Sequence, residues 1–192
     1  MNDPFCSIVE EAFSFLKNDY GFCLRERRRT TVIYESPAVI ASLFYDDQRS
    51  FEVSFGLKRK SDPSQPSFNV DEILRSLEVP VAVWPSGYSA TSLPDAQRLV
   101  EKIATIMASY GKQLLEGENE AWKIIVEQRQ KDVRNYALEN KLRAARAEVE
   151  VAWRKKDYAS VVKAFKPLRA ALTAAEVGKL EFAEKEIGKA GN

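Results

Sequence analysis

Up to about Pro94 the apolar residues of this chain alternate in twos along short runs, and beyond it they recur every three or four. The first pattern is that of half-buried strands and the second that of amphipathic helices. The pattern therefore predicts an α+β fold in which a sheet comes early and helices come late.

The predicted elements follow from that change of period. Asp3 and Pro4 form a helix start, with Phe5, Ile8, Val9, Ala12, Phe13 and Leu16 as one stripe, and Gly21 ends this helix after Asp19. Four extended runs come next, near 22–28, 30–35, 39–45 and 51–58. In the last, Phe51, Val53, Phe55 and Leu57 alternate with Glu52, Ser54 and Lys58, so one face is buried and one is wet. The third run differs: Val39, Ala41, Leu43 and Tyr45 share one face while Ile40 and Phe44 load the other, which predicts a strand covered on both sides. Turn residues at Ser36-Pro37 and Asp46-Asp47-Gln48 keep the connections short, hence an antiparallel meander.

Residues 60–67, with Pro63 and Pro66, read as a loop, and Asn69 with Glu72 reads as a capping box for a short helix to Leu77. Residues 80–88 carry too much proline and glycine for regular structure. Ser92, Pro94 and Asp95 open a helix whose apolar set is Ala96, Leu99, Val100, Ile103, Met107, Tyr110 and Leu114, ending near Gly117. From 118 to 156 there is neither proline nor glycine, which predicts one long helix or two with a break near Lys131-Asp132. Leu138, Leu142, Ala145, Val149 and Ala152 form a packing seam there that requires a partner helix. Asp157 and the Thr173–Glu176 box cap two further helices that can supply it. The expected architecture is a helix on a four-stranded antiparallel meander (1–117) followed by an all-helical part (118–192).

Length and charge narrow the possibilities. The 192 residues suit one core plus an appended module, and 29 basic against 28 acidic residues leave no global field for a polyanion. Asp3, Glu10 and Glu11 interrupt the apolar start, and no later run approaches the roughly 18 residues of a membrane span. A cytoplasmic protein without a membrane partner is expected. Two cysteines, Cys6 and Cys23, are too few for a disulfide framework, and strand alternation puts Cys23 off the face that meets the first helix.

Two stretches resemble known families. Trp153 through Phe165, with Asp157, Tyr158, Val161 and Val162, looks like the helix–turn–helix joint of one tetratricopeptide unit, although the glycine before the turn is absent and Pro167 falls inside the second helix. Residues 5–117 resemble small bacterial proteins of the polymorphic-toxin immunity kind. The resemblance rests on Phe13-Ser14-Phe15-Leu16, Tyr20-Gly21-Phe22, Val32-Ile33-Tyr34-Glu35-Ser36 and Tyr110 through Gly117. It implies a shared scaffold and an expected role in binding and blocking a toxin.

Histidine is absent, which removes the usual general base, the Ser-His and Cys-His pairs and the commonest zinc ligand. No phosphate loop, nucleophile elbow or calcium loop is present. No cofactor or metal is expected, and binding is favoured over catalysis; an enzyme using carboxylates or lysine would need a deep pocket with converging titratable groups. Trp84 and Tyr88, in the 84–88 loop, are candidates for partner recognition, with core packing as the alternative. Arg25, Arg27, Arg28 and Arg29, joined by Lys58, are candidates for phosphate contact in a nucleic-acid accessory protein, against the plainer reading of a charged sheet edge. The Leu138–Ala152 seam can recruit a second copy or pack within the chain. The leading expectation is a protein that binds another protein.

Overall fold

A computed structural model describes residues 3 to 190 of the chain. Two compact units divide between Arg129 and Gln130, whereas the sequence pattern put the boundary at 117/118. The divide falls inside a helix because the first turns of that helix, through Trp122 and Ile125, belong to the first core.

The first unit is α+β. Helix α1 (Pro4–Ala12) starts at extended Asp3 with proline in its first turn. The expected single helix breaks at Phe13, and α2 (Ser14–Tyr20) follows, closed by left-handed Gly21 at φ 67°. The break has a packing cause: Phe13 turns into the core and stacks on Phe55 at 5.5 Å between ring centres. Strands β1 (Cys23–Arg28), β2 (Thr31–Glu35), β3 (Val39–Tyr45), β4 (Val53–Arg59) and β5 (Phe68–Asn69) form one antiparallel sheet in sequential order. The fifth strand is the addition to the expected four. At two residues it is too short to show alternation, and Asn69 at its end is already the cap of α3 (Val70–Ser76), with the expected box complete.

Phe51, expected on the fourth strand, lies just outside it with φ 54°, a left-handed turn residue in which the hairpin closes. Asp46 organises that hairpin: its carboxylate accepts from the backbone of Gln48, Arg49 and Ser50, and these bonds hold it below the usual carboxylate range.

Helix α4 (Leu93–Tyr110) begins where Ser92 accepts from the Asp95 amide, and it buries Ala96, Leu99, Val100, Ile103, Ala104, Ile106 and Met107. Tyr110, expected in this set, is exposed because the helix ends there. Helix α5 (Lys112–Glu116) buries Leu114 and Leu115 and stops at Gly117, φ 79°. A Cβ at Gly117 would stand 2.6 Å from that of Ala38, so both the conformation and the space require glycine. Helices α1, α3 and α4 all lie on one face of the sheet, where α1 meets β2 and both α3 and α4 meet β4. That face supplies Val32, Tyr34, Ala41, Leu43, Val53, Phe55 and Leu57 to the core.

Helix α6 (Asn119–Arg154) runs unbroken through Lys131-Asp132. The second unit is all-helical. Ala145, Val149 and Ala152 of α6 pack with Val161 and Phe165 of α7 (Tyr158–Phe165) and Leu180 and Ala183 of α8 (Ala174–Ala190). The expected seam is thus filled within the chain from Leu142 onward, while Leu138 stays exposed. Pro167 falls where α7 gives way to a tighter 3-10 turn (Lys166–Ala171), in keeping with a residue that cannot continue a helix. Among the described residues, no helix is long and apolar enough to cross a membrane.

Candidate interaction surface

Because side chains alternate across a strand, the residues between the core positions face the opposite side of the sheet. These are Thr31, Ile33 and Glu35 on β2, Ile40, Ser42 and Phe44 on β3, and Ser54, Gly56 and Lys58 on β4. The register sets Phe44 between Thr31 and Ser54, Ser42 between Ile33 and Gly56, and Ile40 between Glu35 and Lys58. Ile33 is therefore the diagonal neighbour of both Phe44 and Ile40, within reach of side-chain contact.

The sequence pattern predicted that this second face of β3 would be covered, and the structure corrects it. Phe44 is 42 % exposed, Ile33 and Ile40 are half-buried, and none of the three belongs to the core of the first unit. The physical reason is that α1, α3 and α4 direct their apolar stripes to the other face. At the centre of this face Ser42 and Gly56 are themselves buried, and a Cβ at Gly56 would already meet Ser67 and the Phe68 carbonyl at 3.4 Å.

The charges of the expected basic run surround this face or turn away from it, and each meets a carboxylate. Arg25 pairs with Glu35 at 3.1 Å, and Arg28 with Glu26 at 2.8 Å. Arg29 makes a two-pronged contact with Asp47 at 2.7 and 2.6 Å. Arg27 points the other way, bonding Glu10 at 2.6 Å with Asp3 at 3.7 Å, which raises its own pKa further. Glu35 also accepts from Lys60, and this bond, the larger cause, with Arg25 holds its carboxyl below the usual range. Lys58 donates to the Pro63 carbonyl at 2.9 Å and ties down the 60–67 loop. A phosphate approaching these cations would have to displace a carboxylate from each arginine in turn. The structure thus scatters Arg25, Arg27, Arg29 and Lys58 among separate partners and does not gather them into one cradle.

Trp84 and Tyr88 lie elsewhere, in the loop after α3, and both rings pack partly buried against the first core. The Trp84 indole Nε1 donates to the Val79 carbonyl at 2.9 Å. The Tyr88 hydroxyl donates to Asp71 Oδ1 at 2.6 Å, and burial with that carboxylate pushes its pKa up. Residues 51–53 of the β4 edge hold the loop, Val53 donating to the Tyr88 carbonyl and Ala90 to that of Phe51. Tyr88 walls a cleft of about 120 Å³ with Glu52, Ser54, Phe55, Asn69 and Asp71. The structure brings Tyr88 to this cleft and leaves Trp84 outside its lining.

Both cysteines are free. Cys6 is buried, its Sγ donates to the Arg28 carbonyl at 2.8 Å, and burial pushes its thiol up, away from the thiolate that a nucleophile needs. Ile40 and Phe44 were legible as residues but not as a surface, because alternation shows which side chains share a face and not whether another layer covers it, and Ile33 joins them only through the strand register. No protein-family model, curated protein or solved structure matches the chain, so what this surface does has to be read from its own geometry.

Proposed function

We propose that this protein is a non-catalytic interaction factor that grips another protein with the open face of its sheet, and that the partner is a toxin, as for proteins of the immunity kind. One observation carries the reading. Phe44 stands exposed, with Ile33 and Ile40 half-buried beside it, on the open side of an antiparallel sheet and inside a rim whose charges are already paired. An apolar centre with a polar rim is the anatomy of a protein-docking patch.

The paired rim also selects the partner's chemistry. With Arg25, Arg28 and Glu35 neutralised in place, and a net charge of +1, the face suits a largely uncharged, apolar surface and not a strongly basic or acidic one. The histidine-free sequence supports a binding role over a catalytic one, and a cytoplasmic site of action goes with this reading.

The test is functional. A partner captured from the native host is expressed alone and then together with this chain. Growth arrest relieved by the unaltered protein and not by Phe44→Asp would support the reading. Relief by both, or a partner that is harmless when expressed alone, would contradict it.

A further inference from the structure

A second surface of the molecule has no role in that reading. Helix α6 carries its buried seam, Leu142, Ala145, Val149 and Ala152, on one side. On the opposite side Val133, Ala137, Asn140, Ala144, Ala147 and Val151 follow one another at alternating steps of four and three, the spacing that keeps one stripe facing a partner helix. This stripe is uncovered: Val133 is 61 % exposed and Val151 54 %, and Tyr136 beside it is 67 % exposed. Apolar side chains of this size do not need to stand in water on a helix that already has a filled core face on its other side.

We propose that this stripe pairs with the same stripe of a second copy of the chain, the two α6 helices running antiparallel about a two-fold axis near Leu142. Two features of the residues single out that occupant. The first is size matching. In the antiparallel register Val133 meets Val151 of the other copy, Ala137 meets Ala147 and Asn140 meets Ala144, so the large residues close both ends and the small ones let the backbones approach in the middle.

The second is charge. The positions flanking the stripe are Arg134 and Lys141 in its first half and Arg143, Glu148 and Glu150 in its second. Reversing one helix brings Arg134 of one copy to Glu148 of the other, and Tyr136 to Glu150. Opposite charges across a helix pair set orientation in this way. At the axis Lys141 and Arg143 each approach their own copies, which keeps the association weak and reversible.

The experiment is sedimentation equilibrium of the full chain over a wide concentration range, on three forms. The unaltered protein is expected to show a monomer–dimer equilibrium in the micromolar range. Val133→Glu is expected to weaken it by about tenfold or more, because two carboxylates enter apolar contacts. The double variant Val133→Glu with Val151→Lys is expected to restore it, since only the antiparallel register brings residue 133 of one copy to residue 151 of the other. Both sites are exposed, and matched melting curves check that the fold is intact. A protein that stays monomeric at the highest concentration, a dimer indifferent to Val133→Glu, or a double variant no better than the single one would each overturn the proposal.

Discussion

Arg129 holds Glu72 in a two-pronged ion pair, Nε to Oε1 at 2.6 Å and Nη2 to Oε2 at 2.7 Å, and thereby ties α6 to the start of α3. The same guanidinium donates to the carbonyls of Pro66 and Ser67 at 2.9 and 2.8 Å and lies 3.6 Å from the centre of the Phe68 ring. Glu72 is also the acceptor for the Asn69 amide in the α3 capping box. Burial pushes the Glu72 carboxyl up, yet Arg129 and the Asn69 amide outweigh it and the group lies below its usual range.

Removing this hub takes the guanidinium from a half-buried carboxylate, which keeps the Asn69 amide as a donor, and from two loop carbonyls. Arg129→Ala is expected to cost about 2–3 kcal/mol in urea unfolding of the first unit. Arg129→Lys is expected to recover less than half of that, because an ammonium cannot reproduce the planar fork. Equal stability of the lysine variant and the unaltered protein would show that the fork geometry is immaterial.

The second unit has an acid-sensitive counterpart. Glu176 accepts from Arg146 at 2.6 Å and from the Thr173 amide at 2.8 Å, and these bonds, Arg146 first, lower its carboxyl to about 2. Since the folded value lies below the unfolded one, the stabilisation is complete above the ordinary carboxylate range and is lost as pH falls toward 2. Glu176→Gln is expected to lower stability near neutral pH by about 1 kcal/mol and to flatten the fall between roughly pH 4.5 and 2. Urea titrations at a series of pH values read both effects. An unchanged acid slope in the variant would locate the sensitivity in another carboxylate.

Lys156 takes φ 57° at the end of α6, the position before the turn where the tetratricopeptide pattern has glycine. A lysine there bears the left-handed strain that glycine avoids. Lys156→Gly is expected to raise the stability of the second unit by about 1 kcal/mol, and thermal melting checks it. A fall in stability would mean that lost chain entropy outweighs the relieved strain.

Much of the architecture was legible because its signals are local. Asn69 with Glu72, Thr173 with Glu176 and Asp157 all cap helices where their spacing predicted. The strand runs were found by alternation, and Gly21 and Gly117 stop helices in the left-handed conformation that only glycine takes without strain. What was missed depends on distant partners. Phe13 breaks the first helix because Phe55, far along the chain, offers it a stacking surface. The first turns of α6 belong to the first unit because Trp122 packs edge-on to Phe68 at 5.8 Å and donates to the Leu114 carbonyl at 3.0 Å.

The candidate surface shows the same division. Ile40 and Phe44 were visible as a second apolar face, but whether a layer covers them depends on where every helix directs its stripe. The arginine run and Glu26 within it were equally visible, and the more distant carboxylate partners, Glu10, Glu35 and Asp47, were not. Their pairing is set by the strand register and by the hairpin that carries Asp47.

The most direct measurement of the central claim is the affinity of a captured partner for two variants that carry the same new charge in different places. Phe44→Asp alters the open sheet face, and Tyr110→Asp alters a comparably exposed aromatic at the end of α4. If the sheet face is the grip, titration calorimetry gives a loss of about 30-fold or more for Phe44→Asp and an unchanged affinity for Tyr110→Asp. An unchanged affinity for Phe44→Asp, with the melting temperature also unchanged, would contradict it.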